Sequence, residues 1–117
     1  MRDTYHPRRD DLSLPTVLNA LSDPIRLRIV QVLADGAERA CGAFRLPVAK
    51  NTGSHHLKVL RESGVIAVRA EGTLRLSSLR RADLDARFPG LLDAVVQAAQ
   101  SASLFPTGSL NGINDQG

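Results

Sequence analysis

The sequence predicts a mainly α-helical domain over residues 12–100 that carries one small β-hairpin. Three observations predict it. Apolar residues recur at i, i+3, i+4 and i+7 in several short segments, the helical period is lost over residues 65–76, and Pro, Gly and Asp mark the joins.

In the first segment, residues 12–21, Leu14, Val17, Leu18 and Leu21 share one helical face, and Pro15 sits in the first turn, where proline is tolerated. Ser22-Asp23-Pro24 supplies a capping side chain followed by proline, so a second helix spans 24–34. Its stripe of Ile25, Ile29, Val32 and Leu33 is widened by Leu27 and Val30, which predicts a central, well-buried helix ended by Asp35-Gly36. A short helical segment over 42–46 stops before Pro47, and residues 48–50 turn. Asn51 or Thr52 caps the next helix, which runs over 52–63 and ends on Gly64 as a left-handed cap. Val65, Ile66 and Val68, then Glu71-Gly72, then Thr73, Leu74 and Leu76 read as two strands and a tight turn. Residues 79–88 return to helical character, Pro89-Gly90 breaks it, and Leu91, Leu92, Val95, Val96 and Ala99 form a last apolar stripe. Residues 1–11 and 101–117 are expected as a flexible amino-terminal arm and a flexible carboxy-terminal tail.

A chain of 117 residues has room for one small domain, which a dimer interface would help to stabilise. No run of 18 apolar residues occurs, and residues 1–11 lack the apolar core of a signal peptide, so a soluble cytoplasmic protein without membrane contact is expected. The single cysteine forms no internal disulfide. The formal charge is +3, but its distribution is uneven: residues 39–87 hold ten Lys or Arg against four Asp or Glu, and the remainder holds five against eight. A basic segment between slightly acidic ones suits a polyanion. Aromatic residues are scarce and none lies between Phe44 and Phe88, which argues against base-stacking platforms for single strands and favours double-stranded DNA.

His55 and His56 stand side by side in the helix over 52–63. Adjacent helical positions point about 100° apart, so the pair is a poor chelate. His56 falls with Val59 and Leu60 on the apolar face; His55 falls on the polar one. That polar side has the chemistry of duplex reading: Asn51, Thr52, Ser54 and His55 suit base edges, while Lys50, Lys58 and Arg61, with Arg69 and Arg75 in the hairpin, suit phosphates. Gly53 is expected to leave the helix start bare where a duplex backbone presses.

The stretches "LSDPIRLRIVQVLADG", "SHHLKVLRESGVI" and "AEGTLRLSSL" resemble the second helix, recognition helix and wing of the ArsR/SmtB family of winged helix-turn-helix repressors. The resemblance covers residues 12–100. It implies a homodimer that enters the major groove of operator DNA through residues 51–61, with the hairpin reaching the neighbouring minor groove or backbone. It also implies a dimer interface made by the first and last helices, here with Leu14, Val17, Leu18, Leu91, Leu92, Val95 and Val96. Metal-sensing members carry a Cys-x-Cys pair before the turn, or an Asp/His with His/Glu set on the last helix. Here "ERACGAFRL" holds Cys41 alone and "LLDAVVQAAQ" holds Asp93 without histidine or cysteine, so no metal or other cofactor is expected; His6 with Asp3 is at most a weak surface ligand. Cys41 beside Arg39 and Arg45 has the setting of a redox-active thiol, against which an isolated cysteine is most often a small buried hydrophobe.

Cys41 with His55 or His56, or Ser54 with a histidine and Asp83, supplies nucleophile and base types, but no phosphate loop or nucleophile elbow frames them, so no enzyme is expected. The expected function is sequence-specific regulation of transcription by a homodimeric repressor on an inverted repeat, its small-molecule effector open. The alternative is a winged-helix module for protein interaction or RNA binding.

Overall fold

The computed structural model describes residues 5–40, 44 and 46–102. In chain order the described residues form α1 (Leu14–Ala20), α2 (Pro24–Leu33), β1 (Arg39–Ala40), α3 (Lys50–Ser63), β2 (Ile66–Glu71), β3 (Leu74–Leu79), α4 (Arg81–Arg87) and α5 (Leu91–Ser101). The strands make one antiparallel sheet of order β1-β3-β2.

Capping chemistry sets the first two helices. The Ser13 hydroxyl accepts from the Thr16 amide at the start of α1, and Asp23 Oδ2 accepts from the amides of Ile25 (2.8 Å) and Arg26 (3.1 Å) at the start of α2. Helix α1 begins at Leu14 instead of residue 12 because a 3-10 turn at Arg9–Asp11 precedes it and leaves Leu12 extended and buried. Ile25, Ile29, Val30 and Leu33 of α2 are buried, and the helix packs on α3, α5 and β3, the central position that its broad stripe predicts.

Helix α3 starts earlier than its capping residues suggest. Ala49, with φ −63° and ψ 156°, is the extended residue before the first turn, and its carbonyl accepts from the Gly53 amide. Asn51 and Thr52 therefore lie inside the helix as exposed side chains and do not cap it. The far end is as predicted: Gly64 is left-handed at φ 89°, and a Cβ there would stand 2.1 Å from Leu12 Cδ2. Behind it β2 and β3 pair in register from Ile66↔Leu79 to Glu71↔Leu74 around Gly72-Thr73. Strand β1 pairs with the other side of β3, Arg39↔Ser77 and Ala40↔Leu76, and two residues are too few for a period to announce them.

The segment expected as an amino-terminal arm is laid onto the body over its described part, residues 5–11. Arginines donate to its carbonyls: Arg61 to Tyr5, Arg80 to Pro7 (2.7 Å) and, one residue further on, Arg87 to Leu12 (2.8 Å). The Val68 amide donates to His6 Nε2 at 3.0 Å, and Arg9 pairs with Asp83 at 2.7 Å. Polar composition suggested solvation, but these backbone acceptors give body arginines their partners. Of the helical segment expected over 42–46, only Phe44, which is buried, and Leu46 are described. The tail expected over 101–117 lies outside the described residues beyond Ala102.

Arg26 ties three helices together: its Nε donates to the Ala20 carbonyl (2.7 Å) and its Nη1 to His56 Nδ1 (3.1 Å). A guanidinium only donates, so His56 is neutral with its proton on Nε2. Burial lowers the His56 pKa, with Arg26 and His55 acting in the same direction and Asp23 opposing them.

Two outcomes are expected for stability. Gly64→Ala costs about 2–4 kcal/mol in denaturant unfolding, from left-handed strain and the Leu12 clash, while Gly36→Ala, also left-handed but with open space around it, costs about 1 kcal/mol. A histidine with a lowered folded pKa contributes stability that is present above its unfolded value and lost as pH falls through the folded one. The melting temperature should therefore drop between about pH 7.5 and about pH 5.5, by less in His56→Gln, whose amide oxygen still accepts from Arg26.

Candidate nucleic-acid interface

The buried side of α3 is set by Gly53, Leu57 and Leu60, spaced i, i+4, i+7, of which Leu57 is half-buried. Gly53 turns inward toward Leu46, whose Cδ1 would stand 3.6 Å from an added Cβ. Its small size serves the approach of the preceding loop and not that of a duplex, which corrects the expectation. Opposite this side, Lys50, Asn51, Thr52, Ser54, His55 and Lys58 are all exposed. Each was named from sequence; Asn51, Ser54, His55 and Lys58, spaced i, i+3, i+4 and i+7, share one face of the helix, and Lys50 and Thr52 flank it on opposite sides.

Arg61 does not join them. It is 8% exposed, with its guanidinium on the Tyr5 carbonyl, because the amino-terminal segment closes over that end of the helix. Periodicity within α3 carries no information about a segment 56 residues upstream.

The two hairpin arginines part company. Side chains alternate along a strand, and the pairs Val68↔Ser77 and Ala70↔Arg75 share one sheet face, while Arg69↔Leu76 shares the other. Val68, Arg75 and Ser77 line a groove against Ser54, Leu57, Lys58 and Arg61 of α3, so Arg75 stands on the sheet face that meets α3. Its volume is about 290 Å³. Arg69 points to the opposite face. Its guanidinium grips both oxygens of Glu38 (2.7 and 2.8 Å) and reaches Glu71 at 2.9 Å. The Arg69 hydrogen bonds hold the Glu38 carboxyl below the ordinary carboxylate range, and Arg69 itself is held more firmly protonated. With two carboxylates on one guanidinium this face is not a positive phosphate site, a second correction. Glu38 was missed because it lies 31 residues away and is delivered by β1.

The His55 and His56 rings sit 5.8 Å apart with planes tilted by 56°. Among the described residues no three His, Cys, Asp or Glu side chains come together as a metal site; Cys41 and Asp3 lie outside the described residues. His6 is engaged with the Val68 amide. No helix among the described residues is long and apolar enough to cross a membrane.

Of the residues expected at a dimer interface, Val17, Leu92 and Val96 are core residues of the single chain, a third correction. The apolar faces of α1 and α5 are broad enough to serve the core and still leave Leu14 (42%) and Leu18 (45%) exposed and Leu91 and Val95 half-buried.

A helix-turn-helix domain family matches residues 21–69. The uncharacterized HTH-type transcriptional regulator YceK of Bacillus subtilis (strain 168) is 35% identical over 89 residues, covering 74% of this chain and 89% of the relative. The arsenical resistance operon repressor of Staphylococcus xylosus is 34% identical over 73 residues, covering 62% and 70%. Among solved structures, the transcriptional repressor BigR from Xylella fastidiosa superposes with TM-score 0.55 at 24% identity over 86% of this chain and 85% of that one, a likeness of fold. A possible transcriptional regulator for arsenical resistance gives TM-score 0.55 at 27% identity over 78% and 99%. With a polar helix face beside a hairpin, in the order helix, turn, helix, wing, and with relatives that are transcriptional regulators, the chain belongs to the ArsR/SmtB family of winged helix-turn-helix DNA-binding repressors.

Proposed function

We propose that the protein is a homodimeric, cytoplasmic repressor that reads an inverted-repeat operator, one α3 helix entering each of two successive major grooves about one helical turn apart. One observation carries the reading: the exposed face of α3 is polar from Lys50 to Lys58 and rests on an apolar face that fixes it to the body. Asn51, Thr52, Ser54 and His55 take the base edges. Lys50, Lys58 and Arg75 take phosphates, Arg75 from the wing strand facing α3. Leu14 and Leu18 on α1, with Leu91 and Val95 on α5, are the apolar surfaces that a second copy would cover.

The experiment is selection from a random duplex library by the purified protein, with the mass of the complex measured in solution. Enrichment of one inverted repeat bound by two chains is expected. Absence of any enrichment overturns operator reading and favours a protein or RNA partner.

Two pairs of variants check the assignment of roles. Lys58→Ala should weaken all duplexes alike and reduce the salt slope by about one, whereas Asn51→Ala should mainly relax sequence preference, at a cost of about 1–3 kcal/mol on the chosen site. Lys50→Ala should likewise reduce the salt slope by about one, while Arg69→Ala, which removes a cation already held by Glu38 and Glu71, should leave it unchanged. Equal slopes in those last two variants would show that the role of Arg69 is assigned wrongly.

A further inference from the structure

The polar joint between α3 and the helices α1 and α2 hangs on one guanidinium whose partners differ in kind. Arg26 Nε donates to the Ala20 carbonyl (2.7 Å) and Nη2 to the Asn19 carbonyl (3.4 Å), both of α1, and neither acceptor titrates. Nη1 donates to His56 Nδ1 (3.1 Å), and that acceptor does titrate. The same Nδ1 stands 3.8 Å from Asp23 Oδ2, which already accepts from the Ile25 and Arg26 amides as the cap of α2. The charged and titratable groups acting on the imidazole are thus Arg26 and Asp23 at the start of α2 and His55 on α3, its ring 5.8 Å away; α1 contributes only uncharged carbonyls, to Arg26. Burial is the largest influence and sets the His56 titration below the ordinary imidazole value.

We propose that His56 is a proton-operated latch on α3: neutral, it accepts from Arg26 and ties α3 to α1 and α2; protonated at Nδ1, it gives up Arg26 and turns to Asp23. A proton taken from solvent occupies the lone pair that Arg26 uses and leaves two cations side by side. Arg26 keeps its two carbonyls, so the bond that breaks is the one reaching α3. Asp23 Oδ2 is an anion within ion-pair distance of the same nitrogen, and a third donor on that oxygen competes with the α2 cap. The carboxy-terminal half of α3 is held independently, by buried Leu60, by Arg61 on the Tyr5 carbonyl and by Gly64. Protonation therefore loosens the half that carries Asn51, Ser54 and His55, which Gly53 and Leu57 still seat, and operator affinity falls in acid. That last step rests on the proposed function; the latch itself does not.

The test follows the full chain by NMR from about pH 8 to about pH 5, the span over which an imidazole titrates. Ring spectra should show His56 protonated on Nε2 alone at the upper end and on both nitrogens at the lower. Over the same step, amide hydrogen exchange, corrected for its intrinsic pH dependence, should lose protection by about threefold to tenfold in residues 54–58 and keep it in residues 60–63. In His56→Gln, which retains an acceptor for Arg26 and takes no proton, protection should stay flat. Asp23→Asn, which keeps the cap and drops the anion, should move the His56 titration to lower pH. A proton on Nδ1 at the upper end, titration of His56 without loss of protection, or the same loss in His56→Gln overturns the latch; an unmoved titration in Asp23→Asn overturns the turn to Asp23. In a second arm, the duplex enriched by selection is bound by the wild type and by His56→Gln. The ratio of the two affinities should fall by about threefold to tenfold between about pH 8 and about pH 5.5, exposed His55 being common to both chains. A flat ratio beside an opening latch overturns the effect on the operator. Failure to bind any duplex sinks the functional reading alone, because ring and exchange spectra decide the latch without DNA.

Discussion

The placement of the exposed polar face of α3 depends on one backbone reversal. At Gly64 the chain leaves α3 in a left-handed conformation and enters β2 with the Leu12 side chain packed where a Cβ would stand. That single position fixes the angle between helix and wing and admits the amino-terminal segment against both. The middle of α3 is tied differently, by polar contacts: Arg26 joins the Ala20 carbonyl at the end of α1 to the His56 imidazole. On either side of His56, Gly53, Leu57 and Leu60 seat the helix on the body and leave its polar residues outward.

The basic segment proves to be internally divided. Arg61, Arg80 and Arg87 donate to backbone carbonyls of residues 5–12, Arg39 pairs with Asp35, Arg69 with Glu38, and Arg81 with Asp93. These arginines use their fork of donors as fasteners, a task for which a lysine's single ammonium is poorly suited. Lys50 and Lys58, by contrast, stand exposed on α3. Net charge by segment therefore overstates how much of the positive charge stays outside such internal pairings.

Much of this was legible from local chemistry. Asp23-Pro24 starts α2, Gly64 ends α3, Pro89-Gly90 separates the last two helices, and Glu71-Gly72 lies at the hairpin turn; each depends on a few adjacent residues. The exposed residues of α3 followed from period alone. What escaped was set by distant segments: the burial of Arg61 under Tyr5, the pairing of Arg69 with Glu38, and the two-residue strand β1. Gly53 escaped for a nearer reason. It falls with Leu57 and Leu60 at i, i+4 and i+7, but without a side chain it does not register as a member of an apolar face.

The contact between His6 and Val68 also bears on how this small sheet behaves in a crowded solution. In the order β1-β3-β2, strand β2 is an edge, and the Val68 amide points away from β3 toward where another strand could join. The His6 ring takes up that donor, and the neighbouring Tyr5 carbonyl is anchored by Arg61 on the adjoining helix. The amino-terminal segment thus acts as a guard on the open edge, so the same few residues that brace the wing also discourage strand addition between copies.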